Sequence, residues 1–135
     1  MTYNERIPMA KILVVEDDDA SREFLRYVLE NASHTVRVTA DGQAALDAVA
    51  AEQPDLMVLD VMLPEVHGYE VCHRLKRAEK TAKIKILFLS AKTFQADKHQ
   101  ALSVGADDFL SKPVEPGVLL EHVSALLNGQ SPLVS

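Results

Sequence analysis

The sequence contains no tryptophan, a single cysteine and fewer basic than acidic residues. One cysteine cannot form a disulfide bond within the chain, so the fold must be stable without one. Lysine and arginine number 14 against 20 aspartate and glutamate residues, and the resulting formal charge of −6 repels nucleic acid and anionic membrane surfaces. No apolar run approaches the roughly 20 residues that a helix needs to span a bilayer. We therefore expect no binding to nucleic acid and no membrane segment.

A secretory signal is also missing, because no charged segment followed by an apolar one opens the sequence, and we expect a cytoplasmic protein. Only 5% of the residues are aromatic although 47% are hydrophobic, which predicts an aliphatic core in one domain of ordinary size. The polar, aperiodic residues 1–9 predict a flexible N-terminal arm. Residues 10–129 are the predicted domain, and residues 130–135 a C-terminal tail or linker stub.

Short apolar runs alternate with segments of helical periodicity along the domain. The runs typical of β-strands lie near residues 11–15, 35–39, 56–60, 83–90 and 108–111. A helical segment follows each run, and the first carries Phe24, Leu25, Val28 and Leu29 on one predicted buried face. This alternation predicts right-handed crossovers and a parallel sheet covered by helices on both faces. The predicted fold class is α/β, a doubly wound five-stranded parallel sheet of the flavodoxin-like (βα)5 type.

The strand order follows from how apolar each strand is. Residues 35–39 alternate between polar and apolar side chains, as expected of a half-exposed edge strand, whereas residues 11–15 and 56–60 are mainly apolar and belong at the centre. This pattern favours the order 2-1-3-4-5.

Polar side chains follow four of the five predicted strands. Glu16 and Asp17 follow the first strand, Asp60 ends the third, Ser90 the fourth, and Lys112 follows the fifth. Because these ends lie on one edge of a parallel sheet, where open α/β folds bind ligands, the groups should converge. Three carboxylates would repel by up to about 4 kcal/mol per close pair at 4 Å and an effective dielectric of 20. Lys112 supplies one compensating charge, and a hard divalent cation such as Mg²⁺ would supply the rest.

A hydroxyl and an ammonium group beside a metal-bound carboxylate suit the oxygens of a phosphoryl group, with Asp60 as nucleophile. The motifs around these residues resemble those of response-regulator receiver domains of two-component signalling, of the single-domain type similar to the chemotaxis regulator. The resemblance covers about residues 10–128. Its motifs are Ile-Leu-Val-Val-Glu16-Asp17-Asp18, Asp60-Val-Met-Leu-Pro64 with Gly68, Leu89-Ser90-Ala91, Gly105-Ala-Asp-Asp-Phe109 and Lys112-Pro113.

The resemblance implies a role for each site residue. Asp60 would be the phosphoacceptor, Ser90 and Lys112 would contact the phosphoryl group, and Phe109 would be the aromatic switch residue. Mg²⁺, or alternatively Mn²⁺, would be held by Glu16, Asp17, Asp60 and the backbone carbonyl of Met62. Access to the site and phosphoryl lifetime would be tuned at Met62, Ala91 and Lys92, and the bond before Pro113 would be cis.

The same resemblance implies partners and a mechanism. A histidine kinase or a histidine phosphotransfer protein would phosphorylate Asp60, Ser90 would move toward the phosphoryl group, and Phe109 would turn inward. The surface of helix 4, strand 5 and helix 5 would then bind a downstream protein. The chain would not otherwise be an enzyme, since it would catalyse only its own phosphoryl transfer and dephosphorylation. His122 and Ser124 replace the basic residues with which winged-helix members dimerise, so we expect a monomer or weak dimer.

An alternative is a phosphorylation-independent interaction module with the same fold, which would not need Lys112 or the acidic pair. Nucleotide folds are not supported, because neither Gly-x-Gly-x-x-Gly nor Gly-x-x-x-x-Gly-Lys-Ser/Thr occurs. An aspartate-based phosphatase would need a second acidic residue two positions after Asp60 to protonate the leaving group, and that position holds Met62. The five histidines lack metal-ligand spacing and are predicted to lie at the surface or in turns.

Overall fold

The computed structural model of the protein describes residues 9–91 and 95–130, without the side chains of residues 95–97. Strands and helices alternate throughout. They are β1 (Lys11–Val15), α1 (Asp19–Asn31), β2 (Thr35–Thr39), α2 (Gly42–Ala51), β3 (Leu56–Asp60), α3 (Gly68–Arg77), β4 (Lys85–Ser90), α4 (Gln95–Ser103), β5 (Asp108–Ser111) and α5 (Pro116–Leu127). No helix in the described ranges is both long and apolar enough to cross a membrane.

The strands form one parallel sheet in the order β2-β1-β3-β4-β5. The predicted fold class and strand order are therefore confirmed. All five residues of the central strand β3 are buried, whereas β2 at the edge has one buried residue. Of the predicted arm at residues 1–9 and the predicted tail at residues 130–135, residues 1–8 and 131–135 lie outside the described residues.

Two apolar layers sandwich the sheet. Helices α2, α3 and α4 cover one face with side chains such as Val49, Val71 and Ala101. Helices α1 and α5 cover the other with side chains such as Leu29 and Leu119. Both layers are mainly aliphatic, as the composition predicts, and each fully buried Leu, Ile or Val stabilises the fold by about 1.5–3 kcal/mol.

Two side chains differ in exposure from what the sequence predicts. Phe24 is 43% exposed, because α1 contacts the sheet through the narrower stripe of Leu25, Val28 and Leu29. His34, predicted to lie at the surface or in a turn, follows the turn after α1 but is only 7% exposed. It directly precedes β2, and its Nδ1 accepts a hydrogen bond of 3.1 Å from the backbone N–H of Ala10. Burial lowers the pKa of His34, which favours the neutral ring that this acceptor role requires.

Candidate functional site

The polar residues at the strand ends converge, as expected from a parallel sheet. One carboxylate oxygen from each of Glu16, Asp17 and Asp60 lies within 4.8 Å of the other two. The ammonium nitrogen of Lys112 lies 2.8 Å from Glu16 Oε1 and 3.4 Å from Asp60 Oδ2. The four groups come from β1, β3 and β5 and the loops that follow them, and the sheet register brings them together.

Glu16 is the most deeply buried member of the cluster, at 1% exposure. Its Oε1 accepts from Lys112 and its Oε2 accepts at 3.1 Å from the backbone N–H of Asp18. The guanidinium of Arg22 donates to the backbone oxygen of Glu16 at 2.9 Å. Because both carboxylate oxygens of Glu16 already accept a hydrogen bond, the exposed Asp17 is better placed to exchange water for another ligand.

Asp60 occupies the carboxyl end of β3 and is 7% exposed. Its Oδ1 accepts a long hydrogen bond of 3.4 Å from the backbone N–H of Met62. Burial, and next the negative charge of Glu16, raise the pKa of Asp60 to about 6, although Lys112 opposes the rise. At neutral pH the Asp60 carboxylate is therefore mostly ionised, although burial and the charge of Glu16 disfavour its ionisation.

Lys112 remains charged in this setting. Burial on its own would lower the pKa of Lys112, but its hydrogen bond to Glu16 and the charge of Asp60 more than offset burial and raise it. One ammonium group cannot neutralise three carboxylates, and the cluster keeps an excess of two negative charges when all are ionised. Three oxygen donors with this excess charge fit a hard divalent cation such as Mg²⁺.

The turn after β3 requires a glycine. A Cβ atom at Gly68 would collide with the backbone oxygen of Asp60 and would lie 2.7 Å from the backbone oxygen of Val61. The N–H of Gly68 donates to that Val61 oxygen at 2.9 Å. The start of α3 is therefore packed directly against the backbone that carries Asp60, and a glycine at this position permits the close approach.

The remaining predicted site residues surround this cluster. Ser90 ends β4 and is 2% exposed, and its backbone oxygen accepts from the N–H of Lys112 at 2.7 Å. Phe109 is 6% exposed and pairs with Phe88 across β4 and β5. Met62 is 59% exposed and Ala91 is exposed. Lys92 lies outside the described residues, and the Lys112–Pro113 peptide bond is cis.

Sequence reasoning did not single out two neighbours of the site. Arg22 lies one helical turn after the N-cap residue Asp18, and this spacing could have indicated that it reaches back to the strand end. A cavity of about 440 Å³ also opens beside Glu16 and Lys112, with the exposed ring of Phe24 and the ring of Pro113 in its wall. No pattern in the sequence indicates this cavity, because its walls come from α1, the ends of β1 and β4 and the segment after β5.

Comparisons with known proteins are consistent with this geometry. The sequence model of the response regulator receiver domain matches residues 12–124. The DNA-binding dual master transcriptional regulator RpaA of Synechocystis sp. is 42% identical over 119 residues, which are 88% of this chain and 49% of RpaA. The alkaline phosphatase synthesis transcriptional regulatory protein PhoP of Bacillus subtilis is 42% identical over 117 residues, which are 87% of this chain and 48% of PhoP.

The chain thus spans about half the length of these curated relatives. Among solved structures, the chemotaxis response regulator CheY4 of Vibrio cholerae is similar over nearly its full length. The match has a TM-score of 0.83 and 29% identity, and it covers 88% of this chain and 99% of CheY4.

Proposed function

The chain belongs to the response regulator receiver domain family, and we propose on this basis that it accepts a phosphoryl group from a phosphohistidine onto Asp60. The resemblance inferred from the five motifs is thereby confirmed. The observation that carries the proposal is the convergence of Asp60, Lys112 and the acidic pair at one edge of the sheet. A lysine within 3.4 Å of a buried carboxylate supplies the positive charge that an incoming phosphoryl group needs.

In the proposed reaction, an ionised oxygen of Asp60 attacks the phosphorus of the phosphohistidine in line with the departing nitrogen. An O–P bond forms, the N–P bond breaks, and the donor imidazole leaves with the electron pair and takes up a proton from solvent. Lys112 balances the charge on the phosphoryl oxygens as they arrive. The pKa of Asp60, raised to about 6, leaves the nucleophile ionised at neutral pH.

Asp17 and Asp60, with Glu16 behind them, would hold Mg²⁺ or Mn²⁺, and the backbone carbonyl of Met62 is the further ligand that we propose. Such an ion supplies neutralisation of the negative charge shared by the carboxylates and the phosphoryl oxygens. The fit rests on the three carboxylate oxygens within 4.8 Å of one another and on the shortage of positive charge around them.

We propose that the response to phosphorylation travels through Ser90 and Phe109. Both residues are buried, at the end of β4 and within the neighbouring strand β5. A bond between Ser90 and the phosphoryl group would favour the inward position of Phe109, which is the position in this structure at 6% exposure. The surface of α4, β5 and α5 would then present a different shape to a downstream protein.

The proposed donor is a histidine kinase or a histidine phosphotransfer protein, since the relatives are response regulators. Two relatives are named as transcriptional regulators, but the chain covers about half of each. We propose that the described domain acts by contact with proteins, because its formal charge of −6 opposes binding to DNA. The chemistry proposed for it is limited to its own phosphoryl transfer and dephosphorylation.

A small phosphodonor tests the proposal. Acetyl phosphate with Mg²⁺ should add the mass of one phosphoryl group to the intact protein and none to Asp60→Asn, measured by intact-protein mass spectrometry. An unmodified parent protein, or equal modification of the two proteins, contradicts the assignment of Asp60. If the parent protein is never modified, and the parent and Asp60→Asn bind a partner protein equally well, the phosphorylation-independent module is favoured.

The metal assignment has its own test. Asp17→Ala should weaken Mg²⁺ binding by at least about tenfold, because it removes one of three proposed carboxylate ligands, and loss of a group that only orients a ligand already costs this much. Asp19→Ala is the matched control, since Asp19 pairs with Arg22 on α1 and lies outside the carboxylate cluster. Calorimetric titration with MgCl₂ measures both variants, and identical affinities would contradict the site.

A further inference from the structure

A buried carboxylate outside the candidate site, that of Asp108, lies at the opposite end of β5 from Lys112. Asp108 begins β5 and is 4% exposed. Its Oδ2 lies 2.5 Å from Nδ1 of His122 on α5, and its Oδ1 accepts a hydrogen bond of 2.8 Å from the backbone N–H of Phe109. Phe109 is the residue to which the proposed function assigns the switch. The buried carboxylate therefore bridges α5 and the backbone of the switch residue.

Burial makes these two contacts energetically important. A carboxylate removed from water is costly unless hydrogen-bond donors replace its hydration. His122 and the N–H of Phe109 provide donors to different oxygens of the same carboxylate. Loss of the His122 contact would leave Oδ2 without that compensation, and the carboxylate would have to move toward solvent or another donor. Either movement disturbs the hydrogen bond between Oδ1 and the backbone N–H of Phe109.

The geometry of a strand explains why this peptide can connect two layers. Successive side chains on a strand point to opposite faces of the sheet. Asp108 faces α5, where it meets His122, while Phe109 packs into the apolar layer that α2, α3 and α4 cover. Movement of Phe109 and movement of His122 therefore both act on the Asp108–Phe109 segment, although the two side chains lie on different faces of the sheet.

We infer that His122 is a positioning residue that couples α5 to Phe109 through the carboxylate of Asp108. The inference rests on the proposed function, because it needs Phe109 to respond to the phosphoryl group on Asp60. We take the contact to favour the inward position, because it is formed here while Phe109 is buried. By reciprocity, a ligand at Asp60 that favours the inward position strengthens the contact, and loss of the contact weakens that ligand.

Two substitutions of one residue separate the hydrogen bond from the bulk of the ring. His122→Leu removes the nitrogen and keeps an apolar side chain of similar reach. His122→Asn places an amide nitrogen near the position of Nδ1 and so keeps a donor to Asp108. The exposed neighbour Glu121 provides a control as Glu121→Gln. Each variant is titrated with beryllofluoride in the presence of Mg²⁺, as a stable mimic of the phosphoryl group on Asp60.

We expect His122→Leu to bind beryllofluoride about fivefold more weakly than the parent, at the lower end of typical coupling effects between sites. His122→Asn should recover most of the affinity, and Glu121→Gln should match the parent. Equal affinities of parent and His122→Leu, or equal losses in the Leu and Asn variants, would overturn the inference.

A spectroscopic measurement on the parent protein remains decisive if His122→Leu does not fold. The ring resonances of His122 and the amide resonance of Phe109 should shift together on addition of beryllofluoride with Mg²⁺, whereas the ring of His73 on α3 should not. If beryllofluoride reaches Asp60 and His122 does not respond, the inference alone is overturned. If the resonances around Asp60 do not change either, the proposed function fails with it.

Discussion

Replacement of Asp60 by asparagine should stabilise the protein in the absence of divalent metal. Burial and the charge of Glu16 raise the pKa of Asp60 from 3.8 to about 6, so the ionised carboxylate destabilises the folded state at neutral pH. This rise corresponds to at most about 3 kcal/mol. The amide keeps an acceptor for the Met62 N–H and removes the repulsion with Glu16, while Lys112 keeps its 2.8 Å contact to Glu16.

The pH dependence distinguishes this electrostatic effect from a packing effect. A folded-state pKa above the unfolded value gives stability that is present below about pH 3.8 and is lost as the pH rises through about 6. The advantage of Asp60→Asn should therefore be near zero at pH 4 and largest above pH 7.

Urea unfolding in EDTA at several pH values measures this difference. Addition of Mg²⁺ should narrow it by stabilising the parent through binding to the folded state. A variant that is less stable than the parent at pH 8 in EDTA, or an advantage that does not change with pH, would refute the reasoning.

Two further predictions concern the scaffold. Lys76→Met should cost about 3 kcal/mol of stability, because Lys76 Nζ donates at 2.8 Å to Asp107 and also to two backbone carbonyls. The control Lys80→Met, at an exposed lysine, should cost little. Urea unfolding compares the two variants, and equal effects would contradict the stabilising role of Lys76. The lowered pKa of His34 means that its contribution to stability is present above about pH 6.5 and is lost as the pH falls below that value. The variant His34→Asn keeps an acceptor for the N–H of Ala10, so its stability should rise relative to that of the parent as the pH falls from 7.5 to 5.5. Parallel stability curves of the two proteins would contradict the burial effect.

Hydrophobic pattern was sufficient to predict the sheet. The apolar run ending at Asp60 predicts a strand buried on both faces, and β3 is buried throughout. The alternation in residues 35–39 predicts an edge, and β2 lies at one. Periodicity does not define how much of a helix surface the sheet buries. It therefore predicts a buried Phe24, whereas the ring of Phe24 is exposed in the wall of the cavity beside the site.

The candidate site was predictable because strand ends in a parallel sheet share an edge. That rule brings Glu16, Asp60 and Lys112 together from positions far apart in the sequence, and an oxygen of each of the two carboxylates lies within 3.4 Å of the Lys112 ammonium. The contact of His122 with Asp108 follows from no such rule. It depends on the rotation of α5 about its axis, which spacing along the sequence does not define to within one side chain.

The position of each strand in the sheet offers a reason why a change at Asp60 would be expressed at β5. Strand β3 is paired on both sides, with β1 and β4, so its backbone has little freedom to move. Strand β5 has four residues, pairs with β4 and lies at the edge of the sheet. Displacement of an edge strand strains one ladder of hydrogen bonds, whereas displacement of β3 would strain two. We therefore expect amide exchange in β5 to respond more strongly than exchange in β3 when beryllofluoride binds at Asp60.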